Sequence, residues 1–524
     1  MTPTKCDQPL FKGCPTTVED VLVQCFGNFV DRQGMTKAAL SEDIFKIKSN
    51  LPSPNNFPSS YQQARAFIAD QLPDVTTFDS CINDCILFRK YRDGRDYTEL
   101  FYCPSCKEPR YNIKYSYETG SPVEGSSRKK VKVIHMKDRL VRMFGESNIA
   151  KLVHAGDITL NRDPNFVRDI YDGEKWREWF SPGGIFYEHP DGACPGAFSG
   201  DGLNGNRNKN LRRSMWPLVF TFLSLSAKFR NTLGVGSVLI SIVPGWKDKE
   251  PNLQSVIEVL VDELIELVDV TLFDAYAKAP LRVKLSLLYY VCDFPANAKI
   301  FCTAGAAAYR ACPCCETCGV HIPELNKRVH LCSRDYLEND SPLRQSKDFP
   351  AIAPNPQARP SEPMDPDIEK EHRKKYESLP NQNQKKKQLK ATGVAGEYAF
   401  QDAPGHDRTS QVVPDGMHTI ADSVDAVFNV VNGNIKESFK KYEIKSNRVH
   451  RKDRGVVEPS SKRQKTDALP VAQWELDPDG IIEADKRATS IRYPPSSSLS
   501  RKQYFSTPSH LTKMESKIRV SRLE

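Results

Sequence analysis

WPLVFTFLSL (216–225), VGSVLISIV (235–243), LQSVIEVLVDELIELV (253–268) and LRVKLSLLYYVCD (281–293) form the most strongly patterned part of this chain. The first two are apolar, β-branched runs parted by a break at residues 231–234, as two strands of a hairpin are. The third sets apolar residues at helical spacing with acids between them, which predicts an amphipathic helix. The fourth alternates and then becomes continuously apolar, as a buried strand does. The expected fold class is therefore α/β, with a mixed sheet as its core.

Two acids stand at the edges of this region, Asp201 in SGDGLN and Asp293 in CDFPA. Taken singly, an Asp before Gly forms turns, and an Asp before an aromatic-Pro step ends a strand. With strand, strand, helix and strand following Asp201, a second reading opens. The first and fourth strands of an RNase H-like sheet lie side by side, so acids carried by them meet at one edge. Paired carboxylates there can hold two divalent ions for phosphoryl transfer.

Outward from the core, the N-terminal 1–75 carries helix-like spacing (VEDVLVQCFGNFV, YQQARAFIADQL) broken by LPSPNNFPSS. Next comes a Cys-rich unit at 76–115. Cys81-x3-Cys85 and Cys103-x2-Cys106 are two close thiol pairs about twenty residues apart, the donor set a tetrahedral zinc site needs. Such a site staples a fold or supports nucleic-acid contact. A second cluster, Cys312-x-Cys314-Cys315-x2-Cys318 with His321, His330 and Cys332, offers more ligands than spacing can choose among; Cys312 and Cys315 pair first.

Residues 116–195 read as a basic, mainly helical region, 196–335 as the core, and 336–400, rich in Pro, Gln, Asn, Lys and Glu, as a disordered linker. A helical segment is expected at 401–445, chiefly over GMHTIADSVDAVFNVV (416–431), and a mostly disordered basic tail at 446–524. Lys and Arg outnumber Asp and Glu by 74 to 66, and the basic residues cluster in short runs: RKKVK (128–132), Arg373–Lys375, Lys385–Lys387 and KRQK (462–465). Such runs suit phosphate contact or nuclear import, or simply a solvated surface. The N-terminus lacks the apolar core of a secretory signal, and no stretch approaches eighteen apolar residues, which argues against secretion and membrane insertion. The fifteen cysteines, mostly in two local clusters, read as reduced metal ligands.

Several blocks together resemble the CACTA (En/Spm) superfamily of DNA transposases. CINDCILFRK (81–90) and CPSCKEPRY (103–111) resemble its two N-terminal knuckles, and DGLN at 201 its Asp-Gly-Phe-Asn block. WP at 216, PG at 244, LVDEL at 260–264, DFPA at 293 and AGAAAYRACPCC (304–315) follow in the family's order, and Asp415 with MH at 417 resembles a later landmark. The resemblance implies a partial RNase H-like core, Asp201 and Asp293 as ligands of Mg2+ or Mn2+, structural Zn2+ on the cysteines, including Cys312 and Cys315, and DNA at transposon terminal inverted repeats as the partner. It further implies a nuclear location, with homo-oligomerisation open.

Two departures matter. Gly205 and Asn206 stand where the family continues Pro-Phe, and the family's third acid, a Glu in a Phe-Glu-x-x-Asn-Gly block, has no counterpart. Glu437 follows His418 at a suitable interval but within the wrong block. The expectation is a truncated or degenerate transposase copy, and the alternative is a non-catalytic, domesticated zinc- and DNA-binding protein. A catalytic zinc hydrolase is disfavoured, because no H-E-x-x-H appears and four-thiolate sites are closed.

Overall fold

The computed structural model describes residues 5–31, 35–69, 73–115, 122–155, 169–204, 214–232, 234–246, 249–312, 314–315, 319–322, 327–329 and 364–413. It divides into two compact units, Met1–Thr76 and Thr77–Glu524. The first holds helices α1 (Val18–Asp31), α2 (Lys37–Asn50) and α3 (Tyr61–Phe67) around a core of Leu10, Val18, Leu22, Leu40, Ile44 and Phe57. Thr36 and Ser60 start α2 and α3 by accepting backbone N–H groups on their hydroxyls.

The second unit runs β1 (Val75–Asp79, its first residues at the unit boundary), β2 (Tyr111–Tyr115), β3 (Pro122–Ser127), β4 (Lys130–Ile134), α4 (Met136–Gly145), α5 (Ser147–Ala155) and α6 (Glu174–Phe180). It continues through β5 (Ala193–Gly200), β6 (Leu203–Asn204), β7 (Ser214–Phe222), α7 (Ala227–Arg230), β8 (Ser237–Pro244), α8 (Gln254–Glu266), β9 (Val270–Asp274), β10 (Ala279–Val291) and α9 (Phe294–Ile300). After β11 (Val320–Ile322) and β12 (Lys327–Val329) come α10 (Pro366–Ser378), α11 (Gln382–Thr392), α12 (Arg408–Gln411) and β13 (Val412–Val413).

The main sheet has the order β1-β4-β8-β7-β5-β10-β13, with β6 beside β7 and β9 beside β10. β5, β7 and β8 are antiparallel neighbours, whereas β10 runs parallel to β5 and β13 parallel to β10. The patterned runs form the expected hairpin, helix and strand as β7, β8, α8 and β10. The strand that completes the set is β5, ACPGAFSG, whose small residues carry no alternation. Their smallness is what the packing needs: a Cβ on Gly196 would fall 1.9 Å from the Phe220 ring.

The apolar stripe of α8 (Val256, Ile257, Leu260, Leu264) packs on one sheet face with Phe198, Leu218, Phe220, Ile240, Leu285 and Tyr290. On the other face a smaller core, with Trp176 and Trp179 of α6, covers Ala193, Ala197 and Leu288.

Three sequence expectations change. The region 116–195 holds strands β3 and β4 beside helices α4, α5 and α6, and RKKVK is largely strand: Val131 and Val133 point into the core while Lys130 and Lys132 stay out. The strand β5 begins at Ala193, ahead of 196, and β1 and β4 from further upstream join the same sheet. The linker expected over 336–400 gives way from Met364 onward to α10, α11 and a packed turn, anchored by Val394, Tyr398 and Phe400, all buried. Charge composition concealed this because Arg373, Glu369 and Arg408 form a buried cluster instead of a solvated surface: Arg408 donates to Glu369 at 2.6 Å, and Arg373 pairs with the same carboxylate. In the helical segment expected at 401–445, residues 401–413 form a turn, the short α12 and β13, and residues 414–445 lie outside the described residues, as does the tail.

Candidate metal centres

Cys81 follows β1 directly, and the chain turns back through Cys85 before reaching the Cys103–Cys106 knuckle. Asp84 and Lys107 hold left-handed backbone, at φ 55° and 63°, which tightens each knuckle. Their N–H groups bond the carbonyls of Cys81 and Cys103, both at 2.9 Å. All four sulfurs then lie within 4.8 Å of one another, Cys81 and Cys106 at 3.4 Å. Zn–S bonds of about 2.3 Å fit such a spacing, and the pure thiolate donor set suits a closed structural site.

Burial pushes the Cys81 thiol up to about 11, against hydrogen bonds from the Asn83 and Cys85 backbone, and pushes Cys85 up as well. Cys106 falls to about 7: burial opposes ionisation there, but bonds from the Glu108 N–H and the Asn83 amide outweigh it. Beneath the knuckles, Lys129 pairs with Asp84 at 2.5 Å, both buried.

The ribbon is tied to the sheet domain through LVDEL. Asp262 on α8 accepts from Arg89 at 2.7 Å and lies 3.5 Å from Arg92. Glu263 accepts the Met136 N–H at 2.7 Å, capping α4, and pairs with His135. This block thus holds elements together.

The acid pair sits at the ends of neighbouring parallel strands. β5 and β10 pair in parallel as far as Phe198 opposite Tyr290; Asp201 follows the last residue of β5, and Asp293 stands two residues past the end of β10. Side chains alternate along a strand. Phe198 and Tyr290 pack towards α8, so Ala197 and Ser199 of β5 and Val291 of β10 face the other side of the sheet.

Asp201 is exposed and Asp293 half-buried. One oxygen of each is already held: Asp201 Oδ1 accepts the Gly202 N–H at 2.6 Å, and Asp293 Oδ1 accepts the Ala296 N–H at 2.7 Å as the N-cap of α9. Among the described residues, neither second oxygen accepts a further hydrogen bond. Under the Asp201 turn lies the Trp216 indole, 3.0 Å from where a Cβ on Gly202 would stand, with Lys299 Nζ 4.5 Å from the centre of its ring. The structure thereby gives the sequence landmarks DGLN and WP one shared purpose, which spacing alone did not reveal.

The matched family is a transposase family. Residues 164–365 match Transposase family tnp2. That tnp2 span takes in both acids, strands β5 to β10 and helix α8, and leaves the four-thiol ribbon outside it. No curated protein matches the chain.

Cys312 and Cys315, also within the tnp2 span, lie beside Cys314, whose N–H bonds Cys312 Sγ at 3.4 Å. Hydrogen bonding with Cys314 raises the Cys312 thiol and lowers that of Cys314. Cys318, His330 and Cys332 lie outside the described residues, and the backbone of His321 is in β11. Among the described residues, Cys81, Cys85, Cys103 and Cys106 form the one cluster of three or more potential ligands. No described helix is long and apolar enough to cross a membrane.

Proposed function

We propose that this chain is a CACTA-type DNA transposase, built on an RNase H-like sheet, that acts on the ends of its transposon in the nucleus. What supports the reading is the position of the acid pair: Asp201 and Asp293 follow the carboxyl ends of two neighbouring parallel strands, and the register, carried three residues past Phe198 and Tyr290, would set them side by side. The strand order supports it. Counted from β5, the strands run third, second, first, fourth, fifth across the sheet, with α8 between third and fourth, so the first and fourth lie side by side. The tnp2 match over the same strands agrees.

In this reading the backbone bonds to Asp201 and Asp293 fix both carboxylates, and their remaining oxygens converge on a divalent cation, Mg2+ or Mn2+. A cation there supplies the Lewis acidity that activates water or a 3′-hydroxyl and steadies the leaving oxygen. Cys81, Cys85, Cys103 and Cys106 hold Zn2+ as a structural staple, and exposed lysines hold phosphates.

The test measures Mn2+ binding by paramagnetic resonance and nicking of labelled inverted-repeat DNA, for the wild-type chain and for Asp201→Asn and Asp293→Asn. We expect Mn2+ binding that each substitution abolishes. Because no Phe-Glu-x-x-Asn-Gly block occurs in the sequence, we expect DNA binding to outrun cleavage. Robust, Asp293-dependent nicking would mean a third carboxylate is present, with Glu437 the first to examine. Unchanged Mn2+ binding in both variants would overturn the assignment and leave a DNA-binding descendant as the reading.

A further inference from the structure

The run RKKVK at 128–132 reads as a single basic signal, yet the fold gives its side chains different fates. Arg128 is tied to Glu108 at 2.7 Å, Lys129 is buried against Asp84, and Val131 is in the core. Lys130 and Lys132 remain, both exposed on one face of β4 and without an ion-pair partner among the described residues. A receptor reading a linear basic signal needs the whole run on a free chain. Here the run is strand, and only two cations point outward.

The sheet registers place those two cations on the face that bears the acids. Val133 pairs with Ser241 across antiparallel strands, so Lys132 stands opposite Ile242, and Ile242 pairs with Pro217. Gly200 pairs with Leu218 and Leu203 with Met215, so Pro217 stands opposite Asp201, and the β5–β10 register, carried three residues past Phe198 and Tyr290, sets Asp293 beside Asp201. Residues opposite one another in a sheet share a face. One row therefore crosses five strands: Lys132, Ile242, Pro217, Asp201, Asp293.

At about 4.8 Å per strand, Lys132 lies roughly 14 Å from Asp201. Among the described residues this stretch is uncovered: Ile242 is 45% exposed, and the α6 core covers Ala193 and Ala197, towards the other end of β5. A shelf with anionic metal ligands at one end and unpaired cations at the other matches a polyanion that needs its backbone held and one phosphate presented.

We propose that this shelf is a duplex-DNA track, with Lys130 and Lys132 holding backbone phosphates about four nucleotides, at 3.4 Å each, from the phosphate presented to Asp201 and Asp293. The proposal rests on the transposase reading and adds the path of the DNA to it.

The test uses the full zinc-loaded chain and a labelled mixed-sequence duplex, with affinity read by fluorescence anisotropy across a salt series. Each phosphate contact contributes about 0.9 to the slope of log affinity against log salt. Lys130→Gln with Lys132→Gln is expected to lower that slope by about two and to weaken binding on every sequence alike, while Mn2+ binding and the unfolding midpoint stay as in the wild type. The double Arg variant at the same positions should restore the slope.

Lys386→Gln with Lys387→Gln, exposed on α11, removes equal charge elsewhere and should leave the slope unchanged. An unchanged slope in the folded Lys130/Lys132 variant, or an equal loss in the α11 control, overturns the track alone. A wild-type chain that binds no duplex overturns both the track and the transposase reading.

Discussion

At the scale of single residues, Asp293 performs a structural task that can be separated from its proposed chemical one. Its Oδ1 caps α9, and losing an Asp cap costs about 1 kcal/mol, whereas Asn keeps the accepting oxygen and drops the charge. Asp293→Asn should therefore unfold in denaturant within about 0.5 kcal/mol of the wild type, and Asp293→Ala about 1 kcal/mol lower. Both should lose Mn2+. A stable Asn variant that still binds Mn2+ like the wild type would remove Asp293 from the metal site.

Gly202 is the neighbouring case. A Cβ there meets Trp216 at 3.0 Å, so Gly202→Ala must displace a buried indole that supports the Asp201 turn. We expect a loss of about 1–3 kcal/mol by overpacking, with weakened Mn2+ binding as its mark. Wild-type stability and Mn2+ affinity in this variant would show that the turn does not depend on that contact. The blocks around the two acids stood out in the sequence because they are short and follow one another in a distinctive order. Their supports were not, because Trp216 and Gly202 become neighbours only when β6 extends the β5 pairing onto β7.

At the scale of elements, what the sequence concealed follows a physical pattern. Strands β7, β8 and β10 announce themselves through β-branched alternation. β5 does not, since Gly196 leaves room for the Phe220 ring on one face and Ala193 and Ala197 lie under the α6 core on the other. β4 hides behind lysines, and α10 behind a composition that resembles a linker.

The turn at 398–409 hides for a related reason: it is held by a polar relay. His406 accepts or donates at both ring nitrogens, with Tyr290 Oη 2.8 Å from Nδ1 and Tyr398 Oη 2.8 Å from Nε2. Burial, reinforced by Arg408, holds the imidazole down at about 4. Unfolded histidine titrates near 6.5, so the native state binds the proton less readily. This contribution to stability is complete above pH 6.5 and is lost as the pH falls towards 4. Between pH 7 and pH 5 the loss is roughly 2 kcal/mol. Urea unfolding at those two pH values should show the drop in the wild type and a smaller one in His406→Gln. Identical pH dependence in the two proteins would show that His406 is not the group responsible.

At the scale of the whole molecule, three bodies of very different self-sufficiency share one chain. The helical unit has its own core of nine buried residues, and the main sheet packs α8 and β10 around a far larger one. The ribbon between Cys81 and Glu108 has only a small cluster of its own, Cys81, Ile86, Phe88 and Cys103, two of them proposed metal ligands, and Leu87 reaches into the main core. A core that small cannot offset the entropy of ordering the knuckles, so the metal must supply most of their stability.

Ion pairs such as Arg89 to Asp262, Arg128 to Glu108 and Lys129 to Asp84 anchor the ribbon to the rest of the unit without joining one knuckle to the other. Removing the metal with a chelator under reducing conditions should therefore unfold the ribbon locally. Hydrogen exchange followed by mass spectrometry is expected to show amides of residues 81–108 losing protection, while α8, β7 and β8, and helices α1 to α3, keep theirs. Cys106→Ser, at the least buried ligand, should reproduce the effect without chelator and lower the metal content from one ion per chain towards none. Protection at 81–108 that survives complete metal depletion would mean that the four thiols pack as an ordinary apolar cluster, and the zinc assignment would fall with it.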